Sequence, residues 1–231
     1  MGELQRRQRW RADAPVRFLP LPTRRLYPAT VVGGRGGAGY EYLLQRPNQN
    51  CLTMRIRPAE LADLEAILAL DHSYTTDHVW QMSGQNSAGE QMATFRLVRL
   101  PRQIQTPSPY EPHVLRRCLH RCDYLWVMQA PASHEIYGYI GMALLPWHNT
   151  GWIPALAVAP HMRRKGIGTQ LLHAAVAQAR VAGLHNVTLS LPTKNYPATR
   201  FCQTRGMRFS GYADNYYAGR DIALFFTYRI K

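Results

Sequence analysis

Across residues 136–213 the sequence has neither aspartate nor glutamate, yet it carries Arg163, Arg164, Lys165, Arg180, Lys194, Arg200, Arg205 and Arg208 there. A stretch with eight cations and no carboxylate suits an anionic ligand such as a polyphosphate. Cysteine is scarce: the four residues at 51, 118, 122 and 202 read as free thiols of a cytoplasmic protein and exclude a disulfide framework. No apolar run reaches the ~18 residues of a membrane span, so no membrane partner is expected. No secretory signal is expected, since the N-terminus lacks a charged head followed by an apolar stretch. What remains is a basic chain of net charge +14 with 46% hydrophobic residues, enough for one ample domain.

Residues 1–53 lack helical or strand periodicity. They hold RRQRWR, several prolines and GGRGGAG, so they read as a basic, Gly/Pro/Arg-rich extension, expected to be disordered. A mitochondrial targeting peptide fits the arginines but not Glu3, Asp13 and Glu41, and a translation start at Met54 is a further reading. As a basic arm the extension could touch nucleic acid. No base-reading motif accompanies it, so nucleic acid is not the expected partner.

From Met54 onward the pattern is regular. A strand over 54–57 precedes an amphipathic helix with Leu61, Leu64, Ile67, Leu68 and Leu70 on one side. A short helix or loop is expected over 72–92, a strand over 94–100 closed by Pro101, an irregular stretch over 101–112 and a helix over 112–120. Strands follow at 123–129, 136–145 and 152–158. The clearest helix spans 168–182, with Gly183 where a C-terminal cap belongs. A strand at 187–191, a helix at 197–205 with Pro in its first turn and a strand at 222–230 complete a mixed α/β order. His113, Cys118, His120 and Cys122 lack the paired spacing of a zinc site, so no metal is expected.

The junction at 158–169, VAPHMRRKGIGT, carries the chemistry. A buried strand ends, a basic turn with two glycines follows, and a helix opens. Gly166 and Gly168 let a ligand approach the backbone. The first helical turn offers unpaired N–H groups and the positive end of the dipole, which together cradle a pyrophosphate. Arg163, Arg164 and Lys165 add charge. The dinucleotide spelling GxGxxG fails at Leu171, and no Gly-Lys-Ser/Thr of a P-loop is present here.

Arg163, Gly166 and Gly168 spell Arg-x-x-Gly-x-Gly, which resembles the acetyl-CoA signature of the GNAT superfamily. The resemblance covers roughly 54–231 and is specific from 152 onward. Asn195, Ala198 and Gly206 in NYPATRFCQTRGM, Gly211-Tyr212 and the ending DIALFF are similar to the streptothricin acetyltransferase branch. The resemblance implies an α/β fold with a mixed, V-shaped central sheet flanked by helices. It implies that the chain is an N-acetyltransferase with acetyl-CoA as acyl donor. Leu156, Ala157 and Val158 would pair with the cofactor's pantetheine arm, the loop from Arg163 through Ile167 to Thr169 would hold its pyrophosphate, and Asn195 would bond the arm.

The expected reaction is attack of a primary amine, on a small molecule such as a cationic antibiotic or on a protein, upon the thioester. A backbone N–H near Val158 would stabilise the developing oxyanion. Where many relatives carry a Tyr that protonates the thiolate, this chain has Cys202, so the candidate acids are Cys202, Tyr196, Tyr216 and Tyr217. Relatives often place a basic Glu or Asp on the central strands, and 136–213 offers none. The candidates are then His148, Asp71, Asp77, Asp123, Glu135 or a water relay. Tyr74, Asp77, His78 and Trp80 are expected to form one wall of the acceptor cleft, with Trp80 giving an apolar or cation–π surface. The missing base leaves a catalytically silent acyl-CoA-binding module as an alternative, and a homodimer is open to the chain.

Overall fold

The computed structural model describes residues 40–42, 54–130, 133 and 135–230. In chain order the elements are β1 (Tyr40–Tyr42), β2 (Met54–Pro58), α1 (Asp63–Ala69), β3 (Tyr74–Ser87), β4 (Glu90–Thr106), α2 (Pro112–His120), β5 (Tyr124–Gln129), β6 (Ile136–Leu145), β7 (Thr150–Val158), α3 (Ile167–Val181), β8 (Asn186–Pro192), α4 (Tyr196–Thr204), β9 (Arg208–Ala213) and β10 (Ala223–Arg229). The main sheet runs β1-β2-β5-β6-β7-β8-β10-β9, and β3 with β4 forms a separate two-stranded hairpin. The expected extension over 1–53 lies outside the described residues except for β1. The three residues YEY are too short to show a period, yet they pair with β2.

Alternation along the strands supplies both faces of the main sheet. One face sends Ile140, Met142, Ile153, Val187, Leu189 and Phe226 against Leu171, Leu172, Ala175 and Ala179 of α3. The other sends Val127, Ile136, Tyr139 and Ala155 against Leu64 and Ile67 of α1 and Leu115 and Leu119 of α2. Each fully buried aliphatic side chain contributes about 1.5–3 kcal/mol. Helix α3 stops where Gly183 takes φ +73° and Leu184 N–H reaches back to Ala179 O at 2.9 Å.

Every pairing in the main sheet is antiparallel except β7 with β8, and that pairing ends at Ile153↔Leu189. The next residue, Pro154, has no N–H to donate, and a bulge between Gly141 and Ala143 bends β7 from its other side. Beyond this point β7 stays with β6 while β8 stays with β10. The sheet therefore opens into a V between residues 154–158 and 190–192.

The expectation of a helix or loop over 72–92 and of an irregular 101–112 is corrected by the long β3–β4 hairpin. Pro101 falls where the register breaks, between Thr76↔Ile104 and His78↔Arg99, so it removes no ladder bond. The polar, non-alternating spelling of β3 hides a strand that is held by docking. Trp80 N–H donates to Thr193 O at 3.0 Å, and its indole N–H donates to Thr199 Oγ1 at 3.3 Å.

A Cβ on Gly138 would sit 2.7 Å from Ala157 O and 3.3 Å from Val158 Cα, both backbone. Gly138→Val should therefore cost about 1–3 kcal/mol in urea unfolding, and an unchanged midpoint would contradict this packing. Asp63 accepts from Arg57 at 2.6 and 2.8 Å and from Glu60 N–H at 2.7 Å. Burial opposes its ionisation, but these bonds outweigh it and hold the carboxyl below its usual range. Its stabilising contribution is present above the unfolded value of ~3.9 and lost as pH falls through the lower folded value. Asp63→Asn should flatten the acid limb of the stability curve below about pH 4.

Candidate active site

The open edge of β7 presents main-chain groups with no strand partner. Ala159 N–H donates to Tyr137 O at 2.8 Å, which brackets the Val158↔Gly138 pair. In an antiparallel ladder the residues of a bracketed pair point their own amides away from the partner strand. Val158, and by alternation Leu156, therefore face the V, while Ala157 bonds β6. The turn after β7 continues the donor array. Among the described residues, the N–H groups of Arg164, Lys165, Gly166, Ile167 and Gly168 have no main-chain acceptor, whereas Thr169 and Gln170 donate to Gly166 O, each at 3.1 Å. Arg164 (φ 65°) and Gly166 (φ 87°) take left-handed backbone, which turns successive amides toward one concavity. A Cβ at Gly166 would meet nothing within 4 Å, and one at Gly168 would face the Phe201 ring at 3.6 Å. These residues fit a pyrophosphate at the positive end of α3 with an extended arm along β7.

Arg163 has a different task from the phosphate contact its position suggests. Its Nε donates to Val158 O and its Nη2 to Asp71 O, both at 3.0 Å. The guanidinium thus ties the end of β7 to the loop between α1 and β3. Beside that tie, His72 Nε2 meets the hydroxyl of fully buried Tyr139 at 2.9 Å. Burial lowers the His72 pKa, which favours the neutral imidazole. Arg164 and Lys165 remain near the loop, with Lys165 Nζ 3.5 Å from Met162 Sδ. Asn195 caps α4, its Oδ1 accepting from Ala198 N–H at 3.1 Å.

The acceptor-wall residues separate. Asp77 is exposed and bonds His78 Nδ1 at 2.8 Å; the His78 ring packs on Tyr196 at 4.8 Å. Asp77 and Tyr196, from distant parts of the sequence, are thus joined through His78. Trp80 is a docking anchor with both N–H groups committed to the scaffold. Tyr74 is buried, and its phenol pKa is raised by burial and by Asp221.

Two catalytic expectations are corrected. Cys202 is 0% exposed in the core, and burial pushes its thiol up to about 12. A side chain packed on all sides cannot reach a thiolate. His148 lies in the turn before β7, beside Thr150 at the closed end of the V, where it lines a groove with Leu145, Trp152 and Thr188. Strand rise puts that end roughly 26 Å from Val158. Asp123 is used by Leu144 N–H at 2.6 Å, and Glu135 lies 3.5 Å from His161.

Sequence reasoning missed Ser190 and Tyr110. Ser190 is the first β8 residue past the last β7 pair. It is buried on the face opposite α3, and no partner meets its Oγ at full hydrogen-bond geometry. Around it lie Tyr110, Tyr216 and Tyr217, with ring centroids 5.5 Å apart for Tyr110–Tyr217 and 5.0 Å for Tyr216–Tyr217. The signal available was the second of two polar residues in VTLSLP, Ser190 after Thr188; its partners come from remote loops.

A strand with a bare edge, a glycine turn of free amides and a V-shaped sheet define an acyl-CoA-dependent transferase. The chain belongs to the Acetyltransferase (GNAT) family, whose family model matches residues 92–207. It is an N-acetyltransferase with acetyl-CoA as donor. It is 26% identical over 172 residues to a streptothricin acetyltransferase of Streptomyces lavendulae, covering 72% of this chain and 88% of that one. Its fold matches a crystal structure of nourseothricin acetyltransferase with TM-score 0.66 and 24% identity, covering 77% and 99% of the two chains. It also matches a Bacillus anthracis protein, provisionally assigned as a streptothricin acetyltransferase and solved with acetyl coenzyme A. That match has TM-score 0.61 and 18% identity over 79% and 100% of the chains. Among the described residues no helix is long and apolar enough to cross a membrane.

Gly166 separates conformation from charge. Gly166→Ala adds only the cost of a left-handed residue, about 1–2 kcal/mol, because its Cβ has open space. Gly166→Asp adds a carboxylate to the cradle and should weaken acetyl-CoA binding at least about tenfold beyond the alanine variant. Equal affinities by calorimetry would place the phosphates elsewhere.

Proposed function

We propose that the protein acetylates a primary amine of a small, cationic molecule, of the kind its streptothricin acetyltransferase relative is named for. The observation that carries this reading is the V itself. It offers an amide-lined side toward α3 and a separate side, walled by Tyr74, Tyr110, Tyr216 and Tyr217, through which an amine would reach the same strand edge. The donor supplies an acetyl thioester. Amides 164–168 hold its pyrophosphate, and the Leu156 and Val158 edge aligns its arm, with Asn195 at the mouth. A Val158 or Leu156 N–H takes the charge that develops on the carbonyl oxygen. Holding both reactants at this edge supplies much of the rate. Asp77, exposed beside His78 and Tyr196, would draw a cation toward the cleft. The setting is the cytoplasm, and residues 54–231 form the acetyltransferase domain behind the extension.

The absence of a carboxylate from 136–213 favours one other reading, a silent acyl-CoA-binding module. Free-CoA release separates the two across a streptothricin-class antibiotic, a polyamine, and peptides with a free α-amine or a lysine. Turnover should be fastest on the antibiotic or the polyamine. Tight acetyl-CoA binding without CoA release on any amine would overturn the enzyme reading for these acceptors, and preference for a peptide would overturn the small-molecule acceptor.

A further inference from the structure

Resting on the N-acetyltransferase reading, the structure assigns the missing proton acceptor to a hydroxyl relay in which Ser190 takes the proton from the attacking nitrogen and passes it through Tyr216 to solvent. Three placements carry this. Ser190 stands at the apex of the V, directly past Ile153↔Leu189, where the bare edge of β7 begins. Its residue is 5% exposed and its Oγ has no partner at full hydrogen-bond geometry among the described residues, so the apex holds a buried polar atom that a substrate N–H would complete. Tyr216 is 40% exposed, and its ring packs 5.8 Å from Phe225, the cross-strand partner of Ser190. Tyr216 thus stands on the Ser190 side of the sheet, between the buried apex and water.

The titratable side chains packed on this cluster are phenols and a thiol, and the charged pair beside it balances itself. The Ser190 hydroxyl is a loose hydrogen-bonding neighbour of the phenols of Tyr110, Tyr216 and Tyr217. Burial raises all three phenol pKa values, that of Tyr110 to about 12. From β3 comes Tyr74, from α2 Cys118 and from β6 Tyr139, each raised by burial. The nearby carboxylate, Asp221, is paired with Lys194 at 2.7 Å. An ammonium entering here loses water without gaining a counter-charge, so the neutral, nucleophilic amine is favoured.

The step balances. The nitrogen lone pair forms the bond to the acetyl carbon, the C–S bond breaks and its electron pair stays on sulfur. The nitrogen sheds one proton to Ser190 Oγ as the Ser190 proton moves to Tyr216 Oη and a Tyr216 proton goes to water. Sulfur takes its proton from solvent.

Ser190→Ala, assayed on an amine that the native protein acetylates, should lower kcat about 100-fold or more. Acetyl-CoA affinity and melting temperature should stay unchanged, and Ser190→Thr should restore most of the rate. The alkaline limb of kcat against pH should move up, because solvent hydroxide replaces the relay. A native kcat and pH profile in Ser190→Ala would overturn the proposal. Tyr216→Phe, at an accessible position, gives the second reading: it should slow turnover, and a native rate would exclude Tyr216 as the exit. Slow hydrolysis of acetyl-CoA without any amine uses water as nucleophile and the same relay. If the native protein acetylates no amine, the acceptor reading fails by itself. The ratio of hydrolysis rates in the native and Ser190→Ala proteins then decides the relay.

Discussion

Parallel pairing between β7 and β8 lasts from Thr150↔Asn186 to Ile153↔Leu189 and then stops. A sheet normally satisfies its main-chain groups by continuing the ladder. Here Pro154 withdraws a donor, the opposite bulge bends the strand, and each strand keeps only its outer neighbour. The unpaired groups are thereby held on a rigid strand, with a ligand-sized gap beside them. Both halves of the site depend on that gap, the amide array on one side and the hydroxyl cluster on the other.

Keeping such a gap open needs support at both rims. Arg163 bonds the last β7 carbonyl and the loop at Asp71, so the end of the strand cannot curl into the cleft. Trp80 pins the β3–β4 hairpin to Thr193, just past β8, and to fully buried Thr199 of α4. The long hairpin therefore belongs to the architecture of the cleft although it pairs with no strand of the main sheet. Charge follows the same division. The acid-free stretch runs through β7, the phosphate turn, α3, β8 and α4, while Asp77 on β3 and Asp221 in the loop before β10 lie outside it. Anion and cation can thus approach from different sides without competing for one surface.

Cys202 shows how a position can keep its packing while its chemistry moves. The thiol is enclosed by the α3/α4 core, where a small side chain fills space and a phenol would not fit without displacement. Proton-handling groups cluster instead across the sheet around Ser190. A neutral cluster suits a site whose acid-free surroundings already favour an anionic cofactor, because a buried carboxylate there would repel it.

The sequence by itself determined the core periodicity of β5 to β8 and of β10, α3 with its Gly183 cap, the free amides of the turn after β7 and the basic field around them. These follow from local rules: 3.6- and 2-residue spacing, glycine geometry and formal charge. Tertiary structure alone decided that β3 is a strand, that Arg163 is a tie, that His148 lies at the wrong end of β7 and that Cys202 is sealed. It also placed Ser190 among Tyr110, Tyr216 and Tyr217. The reason is that each of these depends on which remote segment arrives beside it, and hydrogen-bond partners scores of residues away leave no local period to read.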